Sequence, residues 1–231
     1  MFDLQGYGWL LLEGVRMTII VSLASMACAL VVGLFAAIGK LSPLPVLRRT
    51  LDLYTTVARG IPELVLLLLV YYGFPTLIQD SAASMGYDVT LALNPFAAGI
   101  GTLAIIYGAY ACEVYRAAYL AVPVGQREAA EALGLKPSQT LRKVVLPQMM
   151  RYALPGLGNV WMVLVKTTAL ISIIQLPELM RNADIAARAT RMPFTFFSMA
   201  CLLYLAITLV SMWIQAKSER WARRGVIGGS L

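Results

Sequence analysis

Apolar residues along this chain gather into five long runs, and most polar residues lie in the intervals between them. The runs cover about Trp9 to Ile38, Leu51 to Leu77, Pro95 to Val122, Tyr152 to Leu176 and Phe194 to Ala216. A helix needs about 20 mainly apolar residues to cross a hydrocarbon core of roughly 30 Å, and all five runs qualify. The pattern predicts an all-α, polytopic membrane protein with five transmembrane helices in a single domain over 1–231.

The longest polar interval, within 123–151, contains Gln126 to Gln148, which reads QREAAEALGLKPSQTLRKVVLPQ. Glu128 to Leu133 are strong helix formers, and Gly134 suits the residue just past a helix end because it tolerates positive φ. Pro137 bars continuation, and Ser138 can cap a second short helix running through Leu141 and Val145. Between the fourth and fifth runs, Pro177 to Pro193 mix apolar and charged residues at helical spacing, which predicts a short amphipathic helix at the membrane surface.

Composition supports lipid as the main solvent. Hydrophobic residues make up 59% and charged residues 13%, against about 25% charged in soluble domains. The net charge of +7 is spread between apolar runs rather than over a basic face with interleaved aromatics, so nucleic acid is not an expected partner. Cys28, Cys112 and Cys201 lie in apolar runs without short spacing, and read as small buried apolar residues. Histidine is absent, which removes the commonest metal ligand and general base. No cleavable signal peptide is evident: Met1-Phe2-Asp3 lacks a basic leader and no small-residue cleavage site follows.

Loop charge predicts the orientation. Twelve basic residues share one side: Lys40, Arg48 and Arg49; Arg127, Lys136, Arg142, Lys143 and Arg151; Lys217, Arg220, Arg223 and Arg224. The other side carries Arg181, Arg188 and Arg191, diluted by Glu178 and Asp184, with Asp80 and Asp88 in its other loop. The positive-inside rule places the amino terminus outside and the carboxyl terminus in the cytoplasm.

Arg16, Asp52, Arg59, Glu63, Glu113, Arg116 and Lys166 fall within or beside the predicted spans, where each would cost about 2.5–3.5 kcal/mol at a helix centre. Arg59 and Glu63, four apart, and Glu113 and Arg116, three apart, can pair along one helix face or line a polar path. Asn159, Lys166, Thr167, Thr168 and Ser172 add polar groups to the fourth span, where such groups also join helices. Gly33 and Gly39-Lys40 miss a phosphate-binding loop by one residue of spacing, and Leu41 stands at its hydroxyl position. No nucleotide site is expected in this chain.

The long polar interval resembles the signature loop of membrane subunits of bacterial ATP-binding-cassette importers. Glu128-Ala129-Ala130, Gly134, Val144 and Leu146-Pro147 match that pattern without a gap, with valine for the usual isoleucine. Arg59-Gly60-Ile61-Pro62-Glu63 is similar to a segment of polar amino-acid permeases, as are Tyr107-Gly108-Ala109-Tyr110, Glu113 and Arg116. Met149 to Trp161, followed by Lys166 to Leu170, looks closest to the Q-type permease of histidine/lysine/arginine/ornithine importers.

The resemblance implies a type I importer permease in the bacterial cytoplasmic (inner) membrane, with no catalytic site of its own. It implies a second, homologous permease as partner in a heterodimer, two ATPase subunits that bind ATP and magnesium, and an extracytoplasmic solute-binding protein. Glu128, Ala129, Ala130, Glu131, Gly134, Leu146 and Pro147 would couple the chain to the ATPase, as a short rigid helix bracketed by Gly134 and Pro147. Arg59, Gly60, Glu63, Tyr107, Glu113, Asn159, Lys166, Thr167, Thr168 and Ser172 would line the substrate path. Many relatives carry an acidic residue after the asparagine that matches Asn159, whereas Val160 follows here, which points to an acidic anchor in the partner permease. Basic amino acids are the expected cargo, with opines or other polar amino acids as the alternative. From another class, a stand-alone secondary transporter or channel would use the intramembrane charges, and a membrane-bound enzyme would need a nucleophile and base that are not apparent.

Overall fold

The computed structural model describes residues 4–222, which form helices and connecting turns without any strand. Met1 to Asp3, Arg223 and Arg224, all used above, lie outside the described residues. Eight helical elements follow one another: α1 Gly8–Lys40, α2 Pro45–Gly60, α3 Glu63–Ser84, α4 Pro95–Leu120, α5 Val124–Ala132, α6 Pro137–Ile174, α7 Leu179–Thr190 and α8 Pro193–Ala222. Five of them, α1, α3, α4, α6 and α8, are long and apolar enough to cross a membrane.

The second apolar run divides differently from the expected 51–77 span. Pro62 pushes the preceding Ile61 out of the helical region (φ −102°, ψ 136°), so α2 stops at Gly60 and α3 starts at Glu63. The crossing helix is α3, whereas α2 is amphipathic and carries Arg48, Arg49, Asp52 and Arg59.

Pro75, Pro147 and Pro155 lie inside continuous helix rather than at its ends. A proline ring meets the carbonyl four residues earlier and offers no N–H, which normally breaks an α-helix. A wider π turn precedes the first two: Leu69–Gly73 ends two residues before Pro75, and Leu141–Val145 ends two residues before Pro147, whereas Pro155 sits in regular α-helix. The carbonyls that Pro75 and Pro147 would strike, at Tyr71 and Lys143, sit inside the widened turns. Consequently the second helix of the long polar interval does not end near Pro147. It begins at Pro137, with Lys136 rather than Ser138 as its N-cap, and runs unbroken into the fourth span.

The centre of the bundle is the crossing of α1 and α4, where small residues let the backbones touch. A β-carbon on Gly33 would lie 2.8 Å from the Gly108 carbonyl oxygen and 2.9 Å from the Cys112 nitrogen. One on Gly108 would meet Val32 at 2.8 Å. Close approach of this kind lets van der Waals packing drive helix association in lipid. Gly33→Ala should therefore cost about 1–3 kcal/mol, because the neighbours on one side are backbone and cannot rotate away. Thermal denaturation in detergent should show a lower midpoint than wild type, and an unchanged midpoint would show that the crossing can relax. Gly33 and Lys40, set aside above as a phosphate-loop motif, both belong to this helix.

Apolar layers continue on both sides of the crossing. Val21, Leu103, Tyr107, Leu164 and Ile171 pack between α1, α4 and α6. Ala37, Cys112, Val122, Val145 and Met149 fill the layer nearer α5. Cys112 is buried as expected, but Cys28 and Cys201 are exposed on the outside of the bundle, where lipid rather than protein surrounds an apolar span. At the far end α7 forms the predicted amphipathic helix and lies across α1 and α8, with Leu179, Ala183 and Ala186 inward.

Candidate functional site

The break between α2 and α3 lies beside another irregular helix, and polar groups from three elements meet there. Arg59, near the end of α2, places its guanidinium 5.1 Å from the centre of the Tyr110 ring on α4. That ring stacks on Tyr107, with centroids 5.7 Å apart and planes 29° from parallel. Tyr107 is buried and its hydroxyl lies 2.5 Å from Thr167 Oγ1 on α6. Thr167 itself donates to the Val163 carbonyl at 3.0 Å, which leaves Tyr107 as the donor of the pair. Immediately after Thr167 the helix tightens into a 3₁₀ segment, Thr168–Ile174. Interrupted helices that bring polar groups together within a bundle are a recurrent geometry for solute sites in membrane transporters.

Not every residue expected in the path joins this cluster. Glu63 opens α3, where a carboxylate is favoured by the helix dipole, and it is half-buried. It makes no ion pair with Arg59, since the break at Pro62 ends the helix face on which the two would have met. Gly60 is the exposed last residue of α2. Lys166 is exposed and has no acidic partner among the described residues, and Asn159, seven residues earlier on the same helix face, is exposed as well. Thr168 is fully buried and donates to the Val165 carbonyl at 2.7 Å, so its hydroxyl serves the helix turn. Ser172 lies half-buried in the 3₁₀ segment.

Glu113 belongs to a separate ionic cluster centred on Lys40. The buried ammonium donates to Glu113 Oε1 at 2.6 Å, Thr55 Oγ1 at 2.6 Å and Asp52 Oδ1 at 2.9 Å. Three donors meet three acceptors, one on α4 and two on α2, and so tie both helices to the end of α1. Glu113 also pairs with Arg116 at 3.1 Å, the within-helix pairing that the spacing allowed. The hydrogen bond from Lys40 holds the Asp52 carboxyl below its ordinary range. By loop charge alone Lys40 reads as one of the twelve basic residues on one side of the membrane.

A third polar cluster pins α7. Glu178 is fully buried and caps that helix, accepting from the Arg181 and Met180 N–H groups at 2.8 and 2.9 Å. Its carboxylate also accepts from Tyr204 of α8 at 3.0 Å and from Thr18 of α1 at 3.5 Å. Burial pushes the Glu178 carboxyl up to about 7, against the opposing pull of the four donors. A raised carboxyl value means that the folded state holds the proton where the unfolded state has lost it. Stability should therefore fall as pH rises from about 4.5 to about 7, by up to about 3 kcal/mol, and level off above. Glu178→Gln should flatten that slope in thermal denaturation series, and parallel slopes would contradict the assignment. Among the described residues no cluster of His, Cys, Asp and Glu could hold a metal.

The exposed surface of the long polar interval is carried by α5. The helix ends in a closed reverse turn: Leu135 N–H bonds the Ala130 carbonyl at 3.1 Å and Gly134 N–H bonds that of Glu131 at 2.9 Å. This turn needs positive φ at Gly134, and the value is +81°. Ala130 faces inward, while Glu128, Ala129, Glu131 and Gly134 are exposed and Leu133 is 82% exposed. Arg127 fixes α5 to α4 through a bond to the Tyr119 hydroxyl at 2.9 Å. Gln148 of α6 reaches Gln126 at 3.5 Å. Leu146 and Pro147 are exposed too, but as part of α6. α5 is thus tied both to α4 and to the continuous α6.

Residues 29–224 match the family model described as the inner membrane component of binding-protein-dependent transport systems. The chain is 44% identical to the nopaline transport system permease protein NocQ of Agrobacterium fabrum, over 96% of this chain and 94% of that one. It is 41% identical to the histidine/lysine/arginine/ornithine transport system permease protein HisQ of Salmonella typhimurium, over 96% and 97%. A crystal structure of an amino-acid ABC transporter with histidines superposes with a TM-score of 0.83 at 32% identity, covering 95% of this chain and 98% of that one.

Proposed function

The chain belongs to the family of inner-membrane components of binding-protein-dependent transport systems, and from that premise we propose that it forms part of the translocation path of an ATP-driven importer for basic amino acids. The observation that carries this reading is the line Arg59–Tyr110–Tyr107–Thr167 at the α2–α3 break, with Glu63 and Lys166 unpaired nearby in sequence. An amino acid presents one carboxylate and one ammonium, and unpaired groups of both signs can receive them. The 41% identity to a histidine/lysine/arginine/ornithine permease supports the basic side chain. The 44% identity to a nopaline permease favours opines as a second reading.

In this assembly a second, homologous permease completes the path and supplies an acidic anchor opposite Asn159. Two ATPase subunits bind ATP and magnesium, and the exposed face of α5 docks on them with Glu128, Ala129, Glu131 and Gly134. A solute-binding protein delivers cargo on the other side of the membrane. The amino terminus lies outside and the carboxyl terminus in the cytoplasm, a reading that the excess of basic residues on one side supports.

Uptake of labelled arginine, lysine and nopaline by cells whose own importers are deleted, and which carry this chain with its partners, tests the cargo. Arginine and lysine should enter and compete with each other. Entry of nopaline alone would replace the first reading with the second.

A further inference from the structure

Along the seam between α6 and α8 three hollows of about 600, 470 and 650 Å³ adjoin one another, sharing Leu154 as a common wall. The first reaches inward to Leu23 and Met26 of α1 and Tyr115 of α4. The other two run outward past Trp213 and Trp221 of α8 to Met150 and Arg151 of α6. Across the seam Trp161 Nε1 donates to Ser211 Oγ at 3.0 Å, and the Gln215 amide sits on Gly158. A β-carbon on Gly158 would lie 2.3 Å from Gln215 Cδ. The groove walls are chiefly apolar side chains, and a wholly polar solute would leave its hydrogen-bonding groups unmatched there.

Its outer rim has a different character. With 30 residues α8 is about 45 Å long, against a hydrocarbon core of roughly 30 Å, so part of it extends past the core. The tryptophans and cations of its last turns mark that end as the part in the headgroup layer. Those turns carry Trp213 and Trp221, exposed by 63% and 67%, the residues enriched at membrane–water boundaries. Lys217 lies 5.1 Å above the Trp213 ring, and Arg151 faces the same rim from α6. One acid is near, Glu219, and it lines the inner hollow with its carboxylate accepting from Gln215 at 2.8 Å.

An apolar slot of this size, opening at the headgroup level between two cations and two tryptophans, matches an amphiphile with an anionic head. We propose that the α6–α8 groove binds an anionic phospholipid, with an acyl chain along Leu154 and Ile214 and its phosphate between Arg151 and Lys217. Bound there, the lipid bridges the helix that leads from α5 into the bundle and the last span.

Native mass spectrometry of the assembled importer in mild detergent, titrated with phosphatidylglycerol or phosphatidylcholine, tests the site. Wild type should retain phosphatidylglycerol in preference to phosphatidylcholine. Arg151→Gln and Lys217→Gln should each weaken phosphatidylglycerol binding about fivefold while leaving phosphatidylcholine unchanged, whereas Arg49→Gln, an exposed cation on α2, should change neither. Leu154→Trp should fill the slot and reduce both lipids. Equal retention of the two lipids by wild type, or variants indistinguishable from it, would overturn the proposal. So would crosslinking of Leu154→Cys to the partner permease, which would make the groove a subunit interface.

Discussion

With Gly134 replaced by valine, the protein should reach the membrane at wild-type levels while ATP-driven uptake falls to background. The turn that closes α5 holds Gly134 at φ +81°, where a β-branched side chain is strongly disfavoured. Left-handed backbone costs roughly 1–2 kcal/mol for a residue with a β-carbon. A β-carbon there would meet nothing within 4 Å, so the isolated fold has no clash to resist it. The cheapest relief is to unwind the last turn of α5, which carries Glu131 and leads into the exposed Leu133. The fault should therefore appear in coupling, as ATP hydrolysis without transport or as loss of the ATPase on co-purification. Gly134→Ala should be milder. Wild-type uptake by the valine variant at equal membrane abundance would remove α5 from the coupling role.

Lys40→Met should destabilise the protein more than any other single change considered. Its side chain is 5% exposed and satisfies Glu113, Asp52 and Thr55 together. Removing one partner of a buried pair costs about 3–5 kcal/mol, because the remaining charge is left uncompensated. Glu113 keeps Arg116 and the Asp52 carboxylate is half exposed, so the lower end of that range, about 3 kcal/mol, is expected. For a chain of this size that corresponds to a midpoint drop on the order of 10 °C in detergent. Adding Asp52→Asn and Glu113→Gln should recover part of the loss by removing the orphaned charges. No recovery would mean that Lys40 acts through packing of its stem.

The five spans could be read from the chain because an apolar run of 20 residues has few other uses. The second was misplaced because an apolar average over 51–77 passes straight through Pro62, although that proline restricts Ile61 and does end a helix. Pro147 misled in the opposite direction, since a proline that normally stops a helix is absorbed by the π turn before it. Nothing in the apolar pattern marks a π turn. The exposed α5 surface was legible, since Glu128 to Gly134 combine helix formers with a residue suited to positive φ. Lys40 and Glu178 were not, because their partners are remote in sequence: Glu113 lies 73 residues from Lys40, and Thr18 lies 160 from Glu178. Arg59 and Glu63 looked like a pair by spacing alone, and the intervening break separates them.

Coupling of cargo to ATP is best measured in proteoliposomes that contain this chain with its partner permease, ATPase and solute-binding protein. Labelled arginine should accumulate only when ATP is supplied on the face that bears α5, and a proton or sodium gradient without ATP should drive none. Accumulation on an ion gradient in the absence of the ATPase would contradict an ATP-driven importer and identify a secondary transporter.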